Sequence, residues 1–385
     1  MTLTSLMLLV TLIFPSQTAT EPPPAPPSVA TAPPDTEALR EKVTAHLTAF
    51  MKEAGVPGLS AAVVTGGKPA FSIQLGLADV EQNAPVRPDT VFRIGGISMP
   101  ITAVAVLQLV EEGRISLDAS LREYVPEYPD KGKTITIRHA LAHLSGVRPE
   151  KSSEEWTSCK PYPSLLSSLE AFKSDPLVRE PGGVFLVSNF GYTLLGLVIE
   201  RVSSQPYDDY IRSHIAEPLG MRSLRVEDPQ VITPHRARGY NMNEGKLQNA
   251  DHADLSVRTP GSGLVATADD LAQFAAAVLA GRVLNEELRT LMLTEQKTSD
   301  DKQTKYGLGW FVRTDAGRRI VGHSGPEMGA SAFLLIYPDD AAAVVILTNL
   351  QSTNVTKPGL EIGRMVLGLD PAPAAPSGAN VERPD

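Results

Sequence analysis

From residue 36 to 54, Leu39, Val43, Leu47, Phe50 and Met51 recur at three- and four-residue intervals. That period lines one face of a helix, and Gly55 and Pro57 stop it. Two short apolar runs follow, at 59–65 and 70–77, split by Gly66-Gly67, and predict a β-hairpin. From there to about residue 300 the strand signal fades. The segments 101–112, 137–143, 164–172, 191–203, 207–215 and 268–280 carry helical spacing and are joined by loops containing Pro and Gly. Strands return at 306–313, 318–321, 330–337 and 343–348, and 353–367 closes as a helix. A sheet built from both ends of the chain around a largely helical insert predicts an α+β fold. The expected division is a discontinuous sheet domain over 36–90 plus 300–369 and a mainly helical domain over 91–299.

The two ends carry a different pattern. Residues 3–14 (LTSLMLLVTLIF) are apolar and closed by Pro15. They are too few to span a bilayer, which takes about 20, and they match the apolar core of a secretory signal over 1–20 despite having no Lys or Arg ahead of them. The expectation is an exported protein, periplasmic or secreted. Residues 21–35 (EPPPAPPSVATAPPD) read as an extended Pro-rich linker, and 370–385 as a second low-complexity tail. Of 32 prolines, eight lie in the first 34 residues and four in the last 15, so the proline excess belongs to these ends.

Composition narrows the chemistry. With 35 basic and 44 acidic residues the net charge is −9, which argues against nucleic acid as the main partner. The single cysteine, Cys159, excludes an intramolecular disulfide and a cysteine-rich metal cluster. No cofactor motif stands out.

Six ordered stretches carry a resemblance. They are FRIGGISMPITAVAVLQLVEEGRISLD (92–118), ITIRHALAHLSGV (135–147), PGGVFLVSNFGYTLLGLVIERVS (181–203), GSGLVATADDLAQF (261–274), YGLGW (306–310) and GHSG (322–325). Together they resemble the serine β-lactamase-like superfamily of class C β-lactamases, D-alanyl-D-alanine carboxypeptidases and related esterases. HLSGVRPEK and HRARGY point toward the branch that includes the mitochondrial β-lactamase-like serine protease. The resemblance implies a β-lactamase/transpeptidase-like fold: an antiparallel sheet flanked by helices, with an inserted helical domain. It also implies acyl transfer by a serine and lysine of an S-x-x-K motif opening a helix, with a tyrosine from Y-x-N relaying protons. An H/K-x-G strand lines the far wall. Two backbone N–H groups, from the serine and from the residue after that glycine, form the oxyanion hole.

Placed on this sequence, the serine position is Gly96 and the lysine position Met99. The tyrosine position is Val187, followed by Ser188 and Asn189. His323, Ser324 and Gly325 keep the third motif, but Pro326 follows and has no N–H to donate. Nucleophile, base, proton relay and one oxyanion donor are thus all replaced. Loss of nucleophile or base alone in a comparable serine hydrolase costs about 10⁶ in rate.

Other residues are weighed as substitutes. Ser98, two past Gly96, lies about 200° around a helix and is expected to pack or cap rather than face the cleft. Ser324 and His323, as strand neighbours, face opposite sides. Ser188 is the best displaced nucleophile, without an activating Lys or carboxylate beside it in sequence. His139 and His143 have the i, i+4 spacing of a zinc pair, but HALAH lacks the glutamate of HExxH and reads as structure. Cys159 has no activating partner in sequence. The expected residual cleft has space opened at Gly96 and an apolar floor from Met99 and Val187, with Ser188, Asn189, His323, Ser324 and Gly325 as handles. Three readings follow: a non-catalytic binder of a peptide, a peptidoglycan-like fragment or a small amide or ester; a weak hydrolase with a displaced nucleophile; or a self-assembling structural protein. The sequence leaves the oligomeric state open.

Overall fold

The computed structural model describes residues 34–369. Its centre is a seven-stranded antiparallel sheet. Across the sheet the strands run Ala84–Pro85, Lys68–Asp79, Gly58–Thr65, Ala342–Thr348, Ala330–Tyr337, Arg318–Glu327 and Phe311–Asp315. The strands therefore come from both ends of the chain, as the hydrophobic pattern predicts.

The central strands are buried on both faces, and their alternation serves two cores. Leu59, Ala61, Val63, Val344, Ile346, Phe333 and Leu335 pack on one side, under the helices Pro34–Ala54 and Thr356–Val366. Ala62, Val64, Val345, Leu347 and Leu334 pack on the other, in a core shared with the helices Ser98–Glu111, Asn189–Ser203 and Ala268–Leu279. Register keeps each set together: Ala61 pairs with Ile346, and Ile346 with Phe333. A one-residue slip would exchange the two faces, so two cores fix the register twice.

The differences from the sequence pattern fall mostly at glycines. Residues 306–310 do not extend the edge strand. Gly309 sits at φ +90°, and a Cβ at Gly307 would overlap the Met292 carbonyl, so the chain turns before Phe311. In contrast, the strand expected at 318–321 continues through Gly322 and Gly325 to Glu327. Short elements with no long period escape the pattern: a three-stranded sheet of Phe92–Arg93, Leu264–Ala266 and Arg225–Val226, and the hairpin Tyr240–Asn243 with Lys246–Asn249. Among the described residues, no helix is long and apolar enough to cross a membrane. Residues 1–33 and 370–385, and with them the expected signal, most of the linker and the tail, lie outside the described residues.

The C-terminal helix docks through two glycines. A Cβ at Gly359 would overlap the Phe333 ring, and one at Gly363 the Tyr337 ring. Gly359→Ala should therefore destabilise the protein by about 1–3 kcal/mol from overpacking, although alanine is the better helix former by about 1 kcal/mol. Urea denaturation of the variant checks this.

Candidate functional site

Gly95–Ile97 form a 3₁₀ turn that runs into the buried helix Ser98–Glu111. The strand Arg318–Glu327 is seated directly on this turn. A Cβ at Gly325 would overlap the Ile94 carbonyl, and one at Gly95, held at φ +48°, would lie 2.8 Å from the Gly325 carbonyl carbon and oxygen. Glycines on both sides let the two backbones touch.

This seating closes the position assigned to the nucleophile. A Cβ at Gly96 would meet the Ser324 carbonyl oxygen at 2.6 Å and the His323 ring at 3.0 Å. The expected opening at Gly96 is therefore absent: the His323 ring and the neighbouring backbone fill it. Met99 does not form a cleft floor either. It is 2 % exposed and belongs to the main core. Val187, 38 % exposed, stays at the surface.

His323 is 5 % exposed and fixed at both nitrogens. Nδ1–H donates to the Ser324 carbonyl at 2.8 Å, which leaves Nε2 to accept from the Tyr306 hydroxyl at 3.1 Å. Burial pushes its pKa down to about 4, opposed by the bond to Ser324. His143 is buried behind it, with ring centres 5.0 Å from both Tyr192 and Tyr306. Its Nδ1 accepts from Ser188 N–H at 3.3 Å, and burial together with nearby His323 pushes its pKa to about 3. Both imidazoles are neutral at pH 7, and Tyr306 is held well above the ordinary phenol range by burial.

The candidate serines are occupied. Ser188 Oγ donates to the Arg148 carbonyl at 2.8 Å and accepts from Gly191 N–H at 3.1 Å, capping the helix Asn189–Ser203. Ser98 Oγ donates to the Gly95 carbonyl at 2.7 Å and accepts from Leu264 N–H at 3.2 Å, tying the turn to a neighbouring strand. His139 and His143 do not share a helix face. The helix Ile137–Leu141 ends before His143, which adopts φ +57°, and Nδ1 of His139 accepts from Thr136 N–H at the helix start. Cys159 is exposed and distant in its contacts, with Sγ 3.2 Å from the His252 carbonyl.

A buried charge cluster lies beside the cleft, and no periodicity in the sequence marks it. Asn189 Nδ2 donates to Glu150 Oε1 at 3.0 Å. The Arg258 guanidinium, 1 % exposed, reaches Glu327 at 3.1 Å and Glu150 at 3.9 Å and stacks on Trp156 at 4.1 Å. Burial raises the Glu150 carboxyl above its ordinary range, with Arg258 opposing. Asn189 thus holds an internal carboxylate rather than facing an open pocket.

Two outcomes follow from these geometries. Because His323 titrates lower folded than its usual 6.5, the unfolded chain binds the extra proton between pH 6.5 and about 4. Stability should then be complete above pH 6.5 and fall as pH drops, by up to about 1.4 kcal/mol per pH unit. His143 adds the same sign. Urea midpoints measured from pH 7 to pH 4.5 should show this slope, and His323→Gln should reduce it by about one proton's worth. Separately, Arg258→Met strands two buried carboxylates and should cost about 3–5 kcal/mol, read as a lowered thermal midpoint at pH 7.

Comparison with known proteins agrees with this architecture. The Beta-lactamase family profile matches residues 43–364. The human "Serine beta-lactamase-like protein LACTB, mitochondrial" is 29 % identical over 418 aligned residues, covering 80 % of this chain and 76 % of that protein. Among solved structures, the octameric penicillin-binding protein homologue from Pyrococcus abyssi superposes with a TM-score of 0.75 at 26 % identity, over 86 % of this chain and 78 % of the other. The D-amino acid amidase from Ochrobactrum anthropi SV3, complexed with L-phenylalanine amide, shares the fold with a TM-score of 0.77 at 24 % identity, covering 86 % of this chain and 99 % of the amidase.

Proposed function

The chain belongs to the β-lactamase family, and we propose that it is a non-catalytic member of that family. One observation carries this reading: position 96 has no hydroxyl, and its side-chain space is held by His323 and the Ser324 carbonyl. The other replaced positions support it. Met99 offers a thioether in the core where the resemblance expects a base, and Pro326 has no N–H for an oxyanion. Ser188 and Ser98 have both lone pair and proton engaged elsewhere.

Binding without turnover remains available at the outer rim. Phe185 packs on Tyr306 at 5.2 Å, which brings the loop carrying exposed Val184 and Val187 alongside His323 and half-buried Ser324. With exposed Pro326, these are the surface groups left to contact a peptide, a peptidoglycan-like fragment or a small amide or ester. Export, inferred from residues 3–14, would place the protein where such ligands occur.

Exposure of the full chain to a fluorophosphonate and to a fluorescent penicillin tests the reading, with intact-mass spectrometry as the readout. No adduct is expected on any serine. An adduct on wild type that disappears in Ser188→Ala or Ser98→Ala would establish a displaced nucleophile instead. Combining Gly96→Ser, Met99→Lys and Val187→Tyr should still leave the protein unlabelled, because His323 and Pro326 remain in place.

A further inference from the structure

A second concavity, lined by different residues from the closed cleft, lies where the short strand Phe92–Arg93, the 236–239 segment and the turn at 328–330 meet. Its volume is about 300 Å³, at the lower end of the range for small-molecule sites. The floor is set by two glycines back to back. A Cβ at Gly239 would lie 2.8 Å from Gly329 Cα, and one at Gly329, held at φ +68°, would lie 2.5 Å from Gly239 Cα. Neither position has room for a side chain.

Three guanidinium groups line the cavity, and their partners differ. Arg93 is fixed: Nε donates to Glu227 at 2.7 Å and Nη1 to the Met328 carbonyl at 2.9 Å. Arg238 is fixed by Asn249 at 2.9 Å and Glu81 at 2.6 Å. Arg236 is different. Its nearest acidic contact is Glu227 at 3.6 Å, and among the described residues no hydrogen bond engages its guanidinium. Glu227, whose side chain is 6 % exposed, gives Oε2 to Arg93 and turns Oε1 toward Arg236 beyond hydrogen-bond distance. Two further carboxylates line the cavity. Asp254 accepts from the Ser256 backbone N–H and hydroxyl, and Asp251 is exposed to water, where its field is screened.

We propose that this cavity is a binding site for a small anion, a carboxylate or a phosphate, held by the Arg236 guanidinium between Arg93 and Arg238. Planar guanidinium groups suit both headgroups, and the Arg236 guanidinium, with no hydrogen bond among the described residues, has donors left to give. The site owes nothing to the replaced catalytic positions, so it stands whether or not the family chemistry survives.

Cys159, the chain's single cysteine, lines the same cavity and is exposed, so its alkylation by uncharged iodoacetamide reports occupancy. The full chain is titrated with inorganic phosphate and, in parallel, with N-acetylglycine, at ionic strength held constant with chloride. Saturable slowing of alkylation is expected with at least one anion, and the more potent of the two identifies the headgroup. Arg236→Gln, which removes only an ion pair at 3.6 Å from a partly exposed side chain, should keep the wild-type thermal midpoint. It should raise the half-effect concentration about tenfold, the scale of one charge-assisted hydrogen bond. No saturable slowing by either anion up to about 50 mM, far above any useful affinity, would overturn the proposal. So would an unchanged half-effect concentration in Arg236→Gln.

Discussion

The contact on which the rest of the site depends is between two stretches of backbone. Gly325 of the strand Arg318–Glu327 lies against the Ile94 carbonyl, and Gly95 lies against Gly325. The contact requires glycine on both sides, and once made it decides where everything near it can go. His323, two residues before Gly325, is carried over Gly96. Its ring is locked there by the Ser324 carbonyl and the Tyr306 hydroxyl. A serine at 96 would need the ring and a carbonyl to move together. The glycine and the histidine are therefore one structural unit, and replacing either alone leaves strain or a void.

Around this contact, polar groups that could have served chemistry are turned to architecture. Ser188 caps a helix, Ser98 bridges a turn to a strand, and Asn189 holds the Glu150 carboxylate beside Arg258. The Arg258–Glu327 pair joins the insert to the residue two past Gly325, so the buried charges brace the same strand that closes the site. Such a pair gains little over apolar packing but is costly to break on one side. The outcome is a site in which the serine hydroxyls and one face of Asn189 are spent on capping and bracing.

Much of the fold is legible in the sequence because the sheet is buried on both faces. Runs such as 61–64 and 332–336 are apolar throughout, and the lead helix shows its period in Val43 and Leu47. Elements dominated by glycine are less legible. Residues 306–310 look extended but turn at Gly309, while Gly322 and Gly325 look like turn residues but continue a strand. In each case the deciding contact comes from a distant segment, Met292 or Ile94, which no local pattern contains. The replaced positions at 96, 99, 187 and 326 can be named from sequence. Their physical consequence cannot: an absent side chain at Gly96 suggests space, whereas the structure fills that space with His323. The state of the Arg236 guanidinium, ion-paired but without a hydrogen bond, is equally invisible, since it depends on Glu227 giving its other oxygen to Arg93.

The central claim is that a neutral, doubly bonded His323 occupies the place of a nucleophile's side chain. The most direct measurement is the ¹⁵N chemical shift and one-bond proton coupling of the His323 imidazole at pH 7, assigned by comparison with His323→Gln. The account predicts a single neutral tautomer, protonated at Nδ1 and bare at Nε2, that stays neutral down to about pH 4. A ring that titrates near its ordinary 6.5, or that exchanges between tautomers as a solvated histidine does, would contradict it.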